Sequence, residues 1–301
     1  MTTEKSREKL YSLLGDLPDT NMPITFCKFS EEENDSFITE YLVLSLNGIE
    51  DVPAYFTKPK NVKTPFPVML FCHSHGGRYH MGKKELLSPA EYGYKTPYAK
   101  AMAEMGIGCL AIDHWCFGER FGRSESTTFK SMLWKGQVMW GMMVFDSLRA
   151  VEYLMSRTDV DKERIGTVGI SMGSTMSIWV SALDTRIKMC VDLCCLTDFE
   201  ELENDRALDA HGIYYYVPSL QKHFTMADIN ALIAPRPHFS TAGIYDELTP
   251  VRGLKKIEKI LTKVYSDMGV NSGFTLKTYS CGHLETRKMR EDVLEFIKEN
   301  L

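Results

Sequence analysis

Gly169-Ile170-Ser171-Met172-Gly173 constrains the folding of this chain more than any other stretch. Before it lies an apolar, β-branched run, Ile165 to Ile170, with the character of a buried strand. After it, Met176, Trp179, Val180 and Leu183 recur at helical spacing. A strand that passes into a helix through so tight a turn leaves no room for side chains at Gly169 and Gly173. The strained apex lifts the Ser171 hydroxyl clear of the backbone. The next N–H, on Met172, falls at a helix N-terminus, where partial positive charge favours an oxyanion. Strand, sharp turn and helix with serine at the apex make the G-x-S-x-G nucleophile elbow. The plainer alternative is a glycine-rich turn with an N-capping serine. The flanking elements and the partners that follow Ser171 favour a catalytic role.

Elsewhere, strands and helices alternate. Buried-strand patterns occur at Val68–Ser74, Ile107–Ile112, Met189–Cys195, Pro237–Ala242 and Phe274–Tyr279. Helical patterns occur at residues 4–14, Tyr98–Met105, Val138–Ser156, Asp228–Ile233, Val251–Met268 and Thr286–Glu299. Glu40–Leu46 and Val52–Lys58, joined at Asn47-Gly48, predict an antiparallel hairpin at the sheet edge. Residues 22–39 are expected to be irregular, and Asp159–Glu163 to be a turn. The expectation is a mostly parallel twisted sheet of about eight strands with helices on both faces. With no repeat, low-complexity segment or linker, residues 1–301 are expected to form a single domain. Its excursions fall at about 76–97, 115–136 and 196–234.

A serine near neutral pH needs a base, and the base needs an acid to orient it. Such groups gather beyond the C-terminal ends of parallel strands. Asp246 follows the strand at 237–242 and His283 follows the strand at 274–279, completing the order Ser, Asp, His. His211 and His223 sit in an excursion and His238 at the wrong end of a strand. Asp192 lies within a strand, and Asp198, just after one, is the best rival acid. The second oxyanion donor is expected after Val68–Ser74, from the N–H of His75 or Gly76. His73, Ser74, His75 and His80, with Asp113-His114, invite a metal reading. Gly76-Gly77 stands where binuclear hydrolases need an Asp-His pair, so no metal and no cofactor are expected. Gly76, Trp115, Phe117, Phe121, Trp134, Trp140 and Tyr214–Tyr216 are candidates for lining a pocket or for packing the excursions. Arg120 and Arg123 are candidates for an anionic substrate or for salt bridges.

Net charge of −5 speaks against nucleic acid, and no apolar run approaches a membrane span. The charged, amphipathic N-terminal stretch, with no apolar core or cleavage site, is not expected to act as an export signal. Eight cysteines lie mostly in apolar strands, without a CxxC pair, as expected of reduced thiols in the cytoplasm. Homo-oligomerisation is left open.

From about residue 40 onward the chain resembles the dienelactone hydrolase-like and acetyl xylan esterase-like branch of the α/β-hydrolase superfamily. The resemblance rests on HSHGG (73–77), IDHWCFGER (112–120), GISMGS (169–174), AGIYDELTP (242–250) and CGHLETRKMREDVLEFI (281–297). It implies that His75 supplies the second oxyanion N–H. Dienelactone hydrolases proper use a cysteine nucleophile, whereas this chain carries Ser171. The expectation is therefore a serine hydrolase that cleaves a small-molecule carboxylic ester through an acyl-enzyme, with acetyl or another short acyl group. The alternatives are a serine peptidase of the same fold and a catalytically silent scaffold.

Overall fold

Continuous apolar strands flanked by amphipathic helices can bury their surface only in layers. The computed structural model describes residues 3–301; Met1 and Thr2 of the expected domain lie outside the described residues. Among these residues, nine strands form one sheet: β1 (Thr25–Glu33), β2 (Phe37–Ser45), β3 (Val52–Pro59), β4 (Phe66–Cys72), β5 (Gly108–Ile112), β6 (Val160–Ile170), β7 (Met189–Leu193), β8 (His238–Gly243) and β9 (Phe274–Tyr279). Their order is β1-β2-β3-β5-β4-β6-β7-β8-β9. The first three strands pair antiparallel, as does β3 with β5, and all remaining pairings are parallel. The fold is that of an α/β-hydrolase.

The helices are α1 (Thr3–Ser12), α2 (Tyr98–Glu104), α3 (Glu125–Trp134), α4 (Met139–Ser156), α5 (Met172–Leu183), α6 (Phe199–Asn204), α7 (Met226–Ala231), α8 (Val251–Asp267) and α9 (Arg287–Asn300). Side chains alternate across β4. Val68, Leu70 and Cys72 join one core with α1, α4, α5, α7 and α8. Met69 and Phe71 join the other with α2 and α9. That two-sided burial is why β4 is apolar without interruption.

Three expectations need correction. Residues 25–33 form β1 rather than irregular chain, which makes the sheet nine strands. Every β1 residue is exposed, so no apolar alternation marked it. β6 starts at Val160, where a turn was expected, because Val160 already pairs with Phe66 ahead of a register shift. Within the irregular stretch expected at 115–136, Ser124 caps α3 by accepting the Thr127 N–H; only Thr128 and Met132 of that helix are buried. The described residues include no helix long and apolar enough to cross a membrane. All eight cysteines are free.

Candidate active site

The elbow lies at the centre of the sheet, between β6 and α5. Ser171 adopts φ 58° and ψ −122°, a conformation costly for a residue with a Cβ. Its N–H donates to the Leu193 carbonyl at 2.8 Å, which ties the apex to the neighbouring strand. The crowding expected from sequence is present. A Cβ on Gly173 would stand 1.9 Å from the Cys72 carbonyl oxygen, and one on Gly169 2.4 Å from the Gly173 backbone. Two glycines thus let α5 start directly against the end of β4.

Asp246 and His283 come together from the loops after β8 and β9. Asp246 Oδ2 lies 2.8 Å from His283 Nδ1, and Oδ1 accepts the Leu248 N–H at 3.0 Å. The Asp246 side chain is fully buried, while that of His283 keeps 24% of its surface exposed. The carboxylate accepts from Nδ1–H, which leaves Nε2 as a bare acceptor. Glu285, two residues beyond His283, receives Arg290 through both its oxygens at 2.7 Å. It also accepts the Tyr98 hydroxyl and the Tyr94 N–H, clamping the histidine loop to the excursion at 76–97.

The loop after β4 is held in the same manner. Buried Glu85 accepts the Ser74 N–H at 2.9 Å and the Ser74 hydroxyl at 2.8 Å. Tyr92 bonds both Ser74 and Glu85, and its ring stands against Gly76. His75 Nδ1 accepts the Gly77 N–H at 2.9 Å, so the ring proton sits on Nε2, which donates to the Tyr214 hydroxyl at 2.8 Å. Burial, with lesser repulsion from His73, His283 and His211, pushes His75 down to about 4 and keeps it neutral. Among the described residues, the backbone N–H groups of His75 and Met172 donate to no other group of the chain. Unengaged donors of this kind, one at the elbow and one in the loop after β4, can receive a developing oxyanion.

A sequence profile of the acetyl xylan esterase (AXE1) family matches residues 23–216. The chain belongs to that family. Membership makes it an enzyme that hydrolyses carboxylic esters. It is 50% identical over 294 residues to the putative hydrolase YtaP of Bacillus subtilis (strain 168), covering 97% of this chain and 98% of that one. Its fold is similar to a putative acetyl xylan esterase from Bacteroides fragilis NCTC 9343, with TM-score 0.74 and 19% identity over 92% of this chain and 74% of the other. A glucuronoyl esterase from Solibacter usitatus superposes with TM-score 0.72 at 15% identity, covering 98% and 91%. Asp246 and His283 lie beyond the matched 23–216, so their assignment rests on the geometry above.

The remaining candidates of this acetyl xylan esterase family protein fall in distinct places. Trp115, Phe117 and Trp140 are 3%, 0% and 0% exposed, so they reach a substrate only through the residues they support. Phe117 stacks on Tyr79 and packs edge-on against Tyr214; Trp140 lies between Tyr214 and Trp179 of α5. Trp134 is 93% exposed and Trp115 lies under the Arg120 guanidinium. Arg120 pairs with Asp146 and Glu50, and Arg123 with Glu50, the salt-bridge alternative for both. His73 engages both ring nitrogens, with the Ser74 carbonyl and the His114 N–H, while His80 is exposed. Asp198 caps α6. Asp192 and His238 pair at 2.7 Å beneath α5, both fully buried beside Cys190.

Sequence reasoning missed Glu85, Tyr92 and Glu285, which hold the two loops. It also left His211 in its excursion. The structure places that ring within electrostatic reach of His75 and His283.

Proposed function

We propose that this protein is a serine esterase acting on short acyl groups, acetyl foremost, with Ser171, His283 and Asp246 as its catalytic triad. His283 Nε2 takes the Ser171 proton as the hydroxyl oxygen attacks the ester carbonyl. Asp246 holds the imidazole in the required tautomer and stabilises the imidazolium. The oxyanion lies between the N–H groups of Met172 and His75. As the tetrahedral intermediate collapses, the C–O bond to the alcohol breaks, and His283 returns its proton to the departing oxygen. A water, deprotonated by the same Nε2, then attacks the acyl-enzyme carbonyl; the Ser171 Oγ–acyl bond breaks, Nε2 returns the proton to Oγ, and the acid leaves. No step calls for a cofactor.

The observation that carries this reading is the left-handed Ser171 apex accompanied by the buried Asp246–His283 pair at 2.8 Å. The family match supports ester bonds over peptide bonds. Free thiols throughout are in keeping with a cytoplasmic enzyme. A fluorophosphonate probe should label Ser171 alone, located by peptide mass mapping. Ser171→Ala should lower ester turnover by about 10⁴-fold or more, because triad members act as a unit. Labelling at another residue, or none in folded protein, would favour the silent scaffold. Faster turnover of peptide anilides than of esters would favour the peptidase.

A further inference from the structure

One edge of the sheet stands open. β1 is terminal in the strand order and pairs with β2 alone. Every β1 residue is exposed, and among the described residues the backbone groups on its outer side bond nothing in the chain. An open edge of this length is a template for another strand. Phe26 and Phe29 add two large apolar side chains, 58% and 59% exposed. Phe26 stands edge-on to Tyr153 and Phe29 lies against Tyr41, so the rings mark opposite faces of the sheet.

The bulge in β1 decides which strand fits. Lys28 pairs with Leu42 and Ser30 with Tyr41, so Phe29 is the extra residue and the alternation of faces shifts there. Directly opposed residues of two paired strands share a face. In an unbroken strand, a two-fold axis between Phe29 and Ser30 would oppose residues from different faces. With the bulge, Lys28 and Glu31 lie on one face, that of Leu42 and Glu40. Cys27 and Glu32 lie on the other, that of Val43 and Thr39. Antiparallel pairing of β1 with its own copy about that axis therefore sets Lys28 opposite the partner's Glu31, twice, with both Phe29 side chains beside the axis.

Glu31 can accept that second lysine. Lys28 and Lys58 of its own chain bond its Oε2, at 3.0 and 3.1 Å, and among the described residues Oε1 accepts nothing. The rest of the acidic run does not repel a copy. Glu32 accepts the Tyr41 hydroxyl at 2.7 Å and Glu33 pairs with Lys60 at 2.6 Å. In this register Glu32 faces Cys27 and Glu33 faces Phe26, so no carboxylate meets another.

We propose that β1 is the interface of a homodimer, in which two copies pair their β1 strands antiparallel and join their sheets edge to edge. The occupant is a second copy because one strand carries both charges of each pair, at the spacing that a two-fold axis requires.

Sedimentation velocity of the full chain over a range of concentrations should show monomer passing to dimer. Lys28→Glu opposes carboxylates across the axis, and Glu31→Lys opposes ammonium groups. Each should weaken the dimer by about ten- to a hundredfold. Within either variant chain the two charges stay alike, so an equimolar mixture restores opposite charges only between chains. The mixture should recover most of the lost affinity as a dimer with one copy of each. Circular dichroism should stay that of the wild type in both variants. A wild type that remains monomeric throughout would overturn the proposal, and pairing of this edge with a different protein would give that result. A dimer untouched by either reversal, or a mixture no tighter than its components, would overturn it as well.

Discussion

Glu85 is a buried carboxylate that anchors the loop carrying the proposed oxyanion donor. Its oxygens accept Ser74 twice and Tyr92 once, and Ser74 immediately precedes the proposed oxyanion donor His75. Removing that anchor frees the loop and spoils the aim of the His75 N–H. Loss of one oxyanion donor costs about 10²–10³ in kcat, and misalignment should cost less. Glu85→Ala should therefore lower kcat by about ten- to hundredfold with KM changed by less than about threefold. Glu85→Gln keeps an acceptor for the Ser74 N–H and should recover much of the loss. Steady-state kinetics on p-nitrophenyl acetate decides this; a raised KM with intact kcat would mean that Glu85 does not serve the oxyanion. The positions of Ser171, Asp246 and His283, the proposed triad, were legible because each follows a strand in a loop too short to place it elsewhere. Glu85, Tyr92 and His211 were not, since polar residues in long excursions look alike until the chain folds back on itself.

The elbow is the element whose local sequence and tertiary packing agree most closely. Gly173 is required by contact with β4, not by its own helix: its missing Cβ would meet the Cys72 carbonyl oxygen at 1.9 Å. Gly173→Ala should push α5 off the sheet, with a cost near the upper end of the overpacking range, about 3 kcal/mol. Urea unfolding should register it as a lower midpoint, alongside loss of fluorophosphonate labelling; a variant of unchanged midpoint and activity would contradict the packing argument. On the proposed function the excursions would set the acyl side. Tyr79, Phe117 and Tyr214 form an aromatic group against His75, and on the proposed reading that group limits the acyl side. Across p-nitrophenyl acetate, butyrate, hexanoate and octanoate, kcat/KM should fall by an order of magnitude or so within a few carbons. A steady rise to octanoate would mean an open acyl channel. β1 and α3 escaped notice for one shared physical reason. Elements that bury few side chains carry no apolar periodicity.

Across the whole molecule, the buried Asp192–His238 pair should couple stability to pH. Burial opposes the charge on His238, yet the Cys190 sulfur and the Asp192 carboxylate raise it to about 9. A histidine whose folded value lies above its unfolded value of about 6.5 contributes stability fully present below that unfolded value. The contribution disappears as pH rises through about 9. Unfolding free energy measured between pH 7 and pH 10 should therefore decline, and decline less steeply in His238→Gln. Equal slopes would show that His238 is neutral in the folded protein.

The succession of strands from β4 onward, the elbow, and the loops bearing Asp246 and His283 followed from sequence alone. Each rests on local chemistry: an apolar run buried on both faces, a turn only glycines permit, a polar residue just past a strand end. The 2.8 Å meeting of Asp246 with His283, the anchoring of His75 through Ser74 and Glu85, and the arrival of His211 were decided only by the tertiary structure. Those contacts join residues far apart in the chain, and no periodicity or motif encodes a distance between two loops that meet only when the sheet is complete.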